Sequence, residues 1–593
     1  MRIIINQIVV LLFLFSIVSA AQKKATMIVT NAKVITLDDA NQNAEAVAIS
    51  GNKILGVGSN SMILKYKNSS TIIVDAKGRT LIPGLYDSHL HVIRGGRFYN
   101  TELRWDGVKT LSRALQMLKE QAERTPEGQW VRVVGGWSEY QFEEKRLPTL
   151  DEINRATGNT PTFILHLYGE AYLNKAGLLK LGITETTPNP KGGLIQKDIL
   201  GQPTGLLVAE PNAFILYSTL SKLPELSESE KLNSTLLFMT ELNSLGVTSV
   251  IDAGGGFQNF PEDYAITEEL AKKNQLTVRL PYYLFAQKPG KELEDYQHWI
   301  GMVDIEEQQV KKEEVTEYYV EGGGENLVSS AADFENFTKP RPDLPEVMES
   351  QLKNVIAVLV KNRWPFRLHA TYNESITRFL NVIEEVNKET PLNGLVWFFD
   401  HAETVSVENL KRIKVLGGGI SIQHRMAYQA ETFISRYGSV AASDSPPIRK
   451  MIEIGIKLGG GTDGTRVASY NPWVGIYWLV TGKSMGGLEF AAKANQLDRI
   501  EALKIYTQGS ASLVNQEKNR GVIKAGFLAD LVMLSEDYQT IDAEKIKDMR
   551  SFLTILNGKV VYGSGEFIKF APKVPKALPI WSPVNFYGGY QNK

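Results

Sequence analysis

His89-Leu90-His91 places two imidazoles at positions i and i+2, at the end of an apolar run that begins near Leu81. On a strand, successive side chains point to opposite faces, so His89 and His91 share one face and Leu90 takes the other. Two imidazoles on one face at a strand's C-terminal end can chelate a single divalent metal ion. A lone His-x-His pair also arises by chance, so the rest of the chain has to decide its meaning.

The chain has only seven histidines: His89, His91, His166, His298, His369, His401 and His424. Apolar strand-like runs separated by helical patterns fall at 81–86, 247–252, 277–285, 315–322, 365–369, 395–401, 419–424 and 456–463. Alternation of that kind is the signature of parallel βα units. Eight of them are the number that closes a (β/α)8 TIM-like barrel, an α/β fold whose active site lies at the C-terminal face of the strands. Five of the histidines stand at strand ends of this reading, and the eighth strand ends at Asp463. Residues hundreds of positions apart therefore converge on one face. His424 suits a substrate contact or an outer contact as well as a ligand, because Gln423 and Arg425 flank it. His166 and His298 have no such context and read as structural or surface residues.

Composition narrows the chemistry. The 593-residue chain has a formal net charge of −1 and no cysteine. Thiol catalysis, disulfides and cysteine-based zinc sites are excluded, so a metal site must use His and carboxylates. No basic run or aromatic-studded basic patch marks a nucleic-acid partner, and a small-molecule substrate is expected. Residues 1–20 have the layout of a signal peptide: Arg2, an apolar stretch from Ile8 to Val18, and small residues at Ser19-Ala20-Ala21. That apolar stretch is short of the roughly 20 residues a membrane span needs. A periplasmic or secreted protein is expected, maturing near Ala21 or Gln22 with no membrane span after cleavage.

The barrel needs partners at both ends of the chain. Residues 25–82 alternate apolar and polar positions and read as a small antiparallel β unit. The same texture returns over 516–570, which suggests one composite β-sandwich built from both termini around the 83–515 barrel. The first and second barrel strands are separated by far more than the dozen or so residues a crossover requires. The excess, about 100–240, is expected to form an insertion over the barrel mouth, with Trp137, Tyr140 and Tyr168 as candidates to close on a substrate. The tail 571–593 is expected to lie along the surface.

With Pro83-Gly84-Leu85-Tyr86-Asp87-Ser88-His89-Leu90-His91, Arg367-Leu368-His369-Ala370, Asp400-His401-Ala402-Glu403 and Gly461-Thr462-Asp463 in this order, the chain resembles the amidohydrolase superfamily. Gly521-x-Ile523-x-x-Gly526-x-x-Ala529-Asp530 matches as well, and the nearest branch is the one that includes N-substituted formamide deformylases. The resemblance implies a metal-dependent hydrolase with His89, His91, His369, His401 and Asp463 as metal ligands. It implies one or two divalent ions, zinc being the expected one; related enzymes often dimerise, which makes a homodimer the assembly to test.

The chain departs from the family at strand 4. Many relatives carry there a lysine that is carboxylated and bridges two metals. Here Glu317 stands at the lysine position and Glu321 at that of a following aspartate, with Glu325 beyond them in a Gly-rich loop. A second departure puts Glu170 where relatives often have histidine. The expected chemistry is hydrolysis of a carbon–nitrogen bond, other than a peptide bond, in an amide, formamide or cyclic amide. Asp463 is the expected general base and acid, and His424 the candidate oxyanion donor. The alternatives are a heterocycle deaminase or an isomerase on the same site, and a binding protein without catalysis.

Overall fold

Gly84 separates two strands that the apolar run 81–86 merges into one. Thr80–Pro83 pairs antiparallel with Leu531–Leu534, whereas Leu85–Leu90 pairs with Val247–Asp252 as the first strand of the barrel. A Cβ on Gly84 would sit 2.1 Å from Thr248 Oγ1. Only glycine lets the chain pass from one sheet to the other here, and the pattern of apolar residues does not register that passage. The computed structural model describes residues 23–591 except 41–43, 211, 315, 334–336, 338–340 and 342. The expected signal peptide at 1–20 lies outside the described residues.

The remaining barrel strands are Leu280–Leu284, Tyr318–Gly323, Phe366–Ala370, Trp397–His401, Gly419–Gln423 and Lys457–Gly461. The eight strands stand in sequence order in one parallel sheet. The barrel closes where Thr462 N and Asp463 N both donate to His89 O, at 3.1 and 2.7 Å. Gly461 permits that approach, since a Cβ there would lie 2.6 Å from His89 N. The barrel helices bury one stripe each: Asn373–Glu389 turns Ile376, Phe379, Leu380, Ile383 and Val386 to the core, the i, i+3, i+4, i+7 spacing of a helix packed on a sheet. Inside the barrel, Tyr86, Ile251, Tyr283 and Phe398 pack with Leu513 and Val514, so the centre is filled and the open end is the C-terminal one.

Two further sheets draw on both ends of the chain. Met27–Thr30, Ala46–Ser50, Lys53–Gly58 and Ile72–Asp75 form a four-stranded sheet. Lys33–Val34 and Thr80–Pro83 join Leu531–Leu534, Ser551–Leu556 and Lys559–Gly563 in a five-stranded one. Val29, Val47, Ile49 and Val74 meet Leu81, Leu531, Met533 and Ile555 in a common core. The N-terminal unit is mixed rather than antiparallel, because Met27–Thr30 runs parallel to Ile72–Asp75.

After the first barrel strand and its short helix Val92–Phe98, a six-stranded sheet spans Glu102 to Val208. The helix Glu228–Ser244, part of which falls in the expected insertion, packs on the barrel instead: Ser234 Oγ donates to Gly96 O at 2.5 Å. The tail does more than lie along the surface. It buries Ser582 and Tyr590, and Gln591 N donates to Asp106 O at 2.8 Å.

Candidate metal centre and cavity

Four histidines and two carboxylates meet at the C-terminal ends of the barrel strands. His91 Nε2 lies 3.1 Å and His89 Nε2 3.5 Å from Asp463 Oδ1. Glu325 stands between this group and a second one. Its Oε2 is 3.4 Å from His89 Nε2, and its Oε1 is 2.5 Å from His369 Nδ1 and 3.3 Å from His401 Nε2. His401 Nε2 also lies 2.9 Å from His369 Nδ1.

These atoms fall into three overlapping groups able to hold an ion: His89, His401 and Asp463; His89, His91 and Glu325; and Glu325, His369 and His401. The donor set fits a divalent ion. His89 Nε2 is buried and makes no hydrogen bond, yet it faces two carboxylates, and imidazole nitrogens with carboxylate oxygens suit zinc and its neighbours.

The second nitrogen is held in three of the four rings; that of His401, Nδ1, is buried and makes no hydrogen bond. His89 Nδ1 lies 2.8 Å from Asp400 Oδ1, and Arg367 Nε donates to Asp400 Oδ2 at 2.8 Å. His91 Nδ1 reaches Gly254 O at 2.5 Å, and His369 Nε2 reaches Asp333 O at 2.8 Å. Such contacts fix the tautomer and ring orientation of a ligating histidine. Burial, with the charges of His369 and Arg425, pushes His401 down to about 4, so its ring is neutral and its lone pair free near neutrality. Burial alone would raise the Asp463 carboxyl. His89 above all, with His91 and Arg425, holds it well below the usual range. His401, Ala402 and Asp463 adopt left-handed backbone at φ 76°, 58° and 55°, a costly conformation for residues with side chains that clusters at functional sites.

Strand 4 separates the three glutamates that the sequence leaves open. Glu317 lies at the far end of the barrel, where Asn557 Nδ2 donates to it. Glu321 is buried in an ion pair with Lys312 at 2.7 Å. Glu325, beyond the strand, is the carboxylate that reaches the histidines. Its backbone is pinned by Glu325 N donating to Ala253 O and His369 N donating to Glu325 O. A Cβ on Gly324 would lie 2.3 Å from Arg367 O, and this close approach brings the loop down onto the centre.

His424 is buried at the same end, but its Nε2 is engaged by Ser469 O at 3.0 Å and its Nδ1 makes no hydrogen bond. The neighbouring Arg425 is the residue that reaches the centre, with Nη2 at 2.5 Å from Asp463 Oδ2. His166 bonds Glu139 at 2.9 Å, and His298 is exposed.

A cavity of about 190 Å³ opens beside His91, Glu325 and His369. Tyr168, Tyr217 and Phe257 line it. Trp137 does not: it is buried within the insertion against Trp105, with Nε1 donating to Leu165 O at 3.0 Å. Neither Tyr140 nor Glu170 lines the cavity, and Glu170 accepts from Tyr172 Oη at 2.5 Å. Sequence reasoning passed over Tyr217, Phe257 and the buried Arg94. The place of Arg94 three residues after His91 was the only available signal.

A sequence model described as "Amidohydrolase family" matches residues 73–562. The putative amidohydrolase YtcJ of Bacillus subtilis is 27% identical over 89% of this chain and 98% of its own length. The N-substituted formamide deformylase of Arthrobacter pascens is 23% identical over 90% of this chain and 98% of its own. Among solved structures, an uncharacterized metal-dependent hydrolase from Pyrococcus horikoshii superposes with a TM-score of 0.60 at 20% identity. The match covers 87% of this chain and 99% of that one.

Proposed function

The chain belongs to the amidohydrolase family and is by that membership a metal-dependent hydrolase of non-peptide C–N bonds; we propose that it hydrolyses a small amide, formamide or cyclic amide at the His89–Glu325–Asp463 centre. The observation that carries the reading is Glu325, which turns one oxygen to His89 and the other to His369 and His401. A carboxylate so placed is shared between two ligand groups, and two ions, zinc or a similar metal, are the proposed complement. The formamide-cleaving relative supports formamides as the first compounds to try.

A divalent ion held here supplies Lewis acidity and lowers the pKa of water toward about 7. The residues do the rest. Asp463 stands at the edge of the centre, where it accepts the proton of the attacking water and returns it to the leaving amine. Arg425 fixes its second oxygen in place. Asp400, Gly254 O and Asp333 O keep the imidazoles in register. Tyr168, Tyr217 and Phe257 limit water at the mouth.

Metal analysis of the purified enzyme, combined with hydrolysis of N-substituted formamides, acylated amines and cyclic amides, tests the proposal. Metal-dependent release of acid and amine is expected. Ammonia from a heterocycle with no amide cleavage, or metal-independent turnover, would overturn it. We also propose export on the strength of the N-terminal pattern: a mature N-terminus at Ala21 or Gln22 in the extracytoplasmic fraction is expected, and an intact Met1 there would refute it.

A further inference from the structure

Two arginines stand beside the cavity with no carboxylate in ion-pair contact. Arg94 lies on the helix Val92–Phe98, three residues after His91, and Arg466 lies three residues after Asp463. Both are buried, at 5% and 6% exposure. Among the described residues neither has a hydrogen-bond or ion-pair partner. Each faces the ring of Tyr217 instead, with guanidinium carbons 5.8 and 4.7 Å from its centroid.

Arg94, Tyr217 and Phe257 are walls of the cavity beside His91 and Glu325 and also of an adjoining one of about 60 Å³, which Arg466 and Arg132 line. The acidic side chains nearby are already engaged. Glu102 is bonded by Arg104, and Glu225 pairs with Lys231 at 2.9 Å at the outer edge. Asp263 takes Arg97 at 2.7 Å. Asp252 accepts from Ile93 N and Gly254 N, both at 2.9 Å. Two buried cations of like sign without a hydrogen-bonded anion are costly, and a ligand carboxylate is the partner that relieves the cost.

We propose that Arg94 and Arg466 bind a carboxylate of the substrate, so that the compound hydrolysed is an amide with an acidic group beyond its scissile bond. The inference rests on the C–N hydrolysis proposed above and names its substrate class. A guanidinium pair holds a carboxylate through strong, oriented hydrogen bonds. It also keeps that acid in the smaller cavity, away from the metal ligands it would otherwise compete with, and leaves the amide carbonyl to the centre. The insertion, through Tyr217, roofs the site.

Matched probes test it: N-formylglycine against N-methylformamide, and N-formylphenylalanine against N-(2-phenylethyl)formamide. Calorimetric binding to the metal-loaded full chain is read beside turnover. The acids are expected to bind more tightly than their neutral partners, with an advantage that shrinks as salt is added. Arg466→Met should cut that advantage about 10- to 100-fold, and Arg466→Lys should keep part of it. Equal binding of acid and neutral partner by the wild type, or an advantage unchanged in both Arg94→Met and Arg466→Met, would overturn the assignment. Absence of hydrolysis for all four probes would instead exclude formamides as substrates of the proposed reaction, and the binding arm would still decide the anion site.

Discussion

Asp400 Oδ1 lies 2.8 Å from His89 Nδ1 although 311 positions separate the two residues. Both side chains are fully buried, and so is Arg367, which grips the other oxygen of Asp400. Burial would raise the Asp400 carboxyl; the charges of Arg367 and His89 hold it below the ordinary range. A fixed anion therefore stands behind a ligand imidazole, and His89 Nε2 is directed at the centre.

Replacing Asp400 by Asn should weaken metal binding about 10- to 100-fold, measured by competition with a chelator. Asp400→Ala also strands the buried Arg367 charge and should lower the unfolding free energy by about 3–5 kcal/mol in urea titrations. Unchanged metal affinity in both variants would contradict a positioning role for Asp400.

Glu325→Gln keeps the volume and removes the charge shared by the two ligand groups. Metal content is expected to fall from two ions per chain toward one, read by elemental analysis after dialysis. Glu317→Gln should leave it unchanged, because that side chain is held by Asn557 at the opposite end of the barrel. An equal loss in the two variants would rule out the bridging role of Glu325.

Asp463→Asn tests the proton transfer. The neighbouring histidines still hold metal, while turnover should drop by about 10²- to 10⁴-fold, the range of a lost general base. A variant that keeps both metal and full kcat would exclude Asp463 as the base.

Acid sensitivity should come in part from Asp530, which pairs with Arg279 at 3.0 Å below the barrel. Burial opposes its ionisation, but Arg279 and the Asn557 backbone hold its carboxyl below the ordinary value. A carboxyl with a depressed native pKa contributes stability that is complete above the unfolded value of about 3.9 and is lost as pH falls through the native one. The unfolding free energies of wild type and Asp530→Asn should thus differ by a constant amount from pH 7 down to about 4 and converge below it. Urea midpoints over that range, if parallel down to the lowest pH, would refute the linkage.

The barrel was readable because each strand is a short apolar run flanked by helical periodicity: five of the eight runs contain the observed strand, and two more stop one residue short of its end. The first was misjudged at Gly84, where the apolar pattern continues while the hydrogen-bond partner changes from Leu531–Leu534 to Val247–Asp252. Scarcity made the four clustered histidines conspicuous. Glu317 and Glu321 share strand parity, yet neither reaches the histidines, and Glu325 past the strand does. Parity says which face a side chain takes but not how near the open end it stands, nor how far a glycine-rich loop folds back.

The sequence by itself determined the order of the barrel elements and the residues able to bind metal, since these follow from local periodicity and side-chain chemistry. Only the tertiary structure decided that Glu325 is shared between His89 and the His369–His401 pair, that Asp400 backs His89, and that Arg94 and Arg466 flank Tyr217. Those contacts join residues from different strands, loops and the insertion. Barrel register and loop packing set their distances, and no local pattern in the chain encodes either.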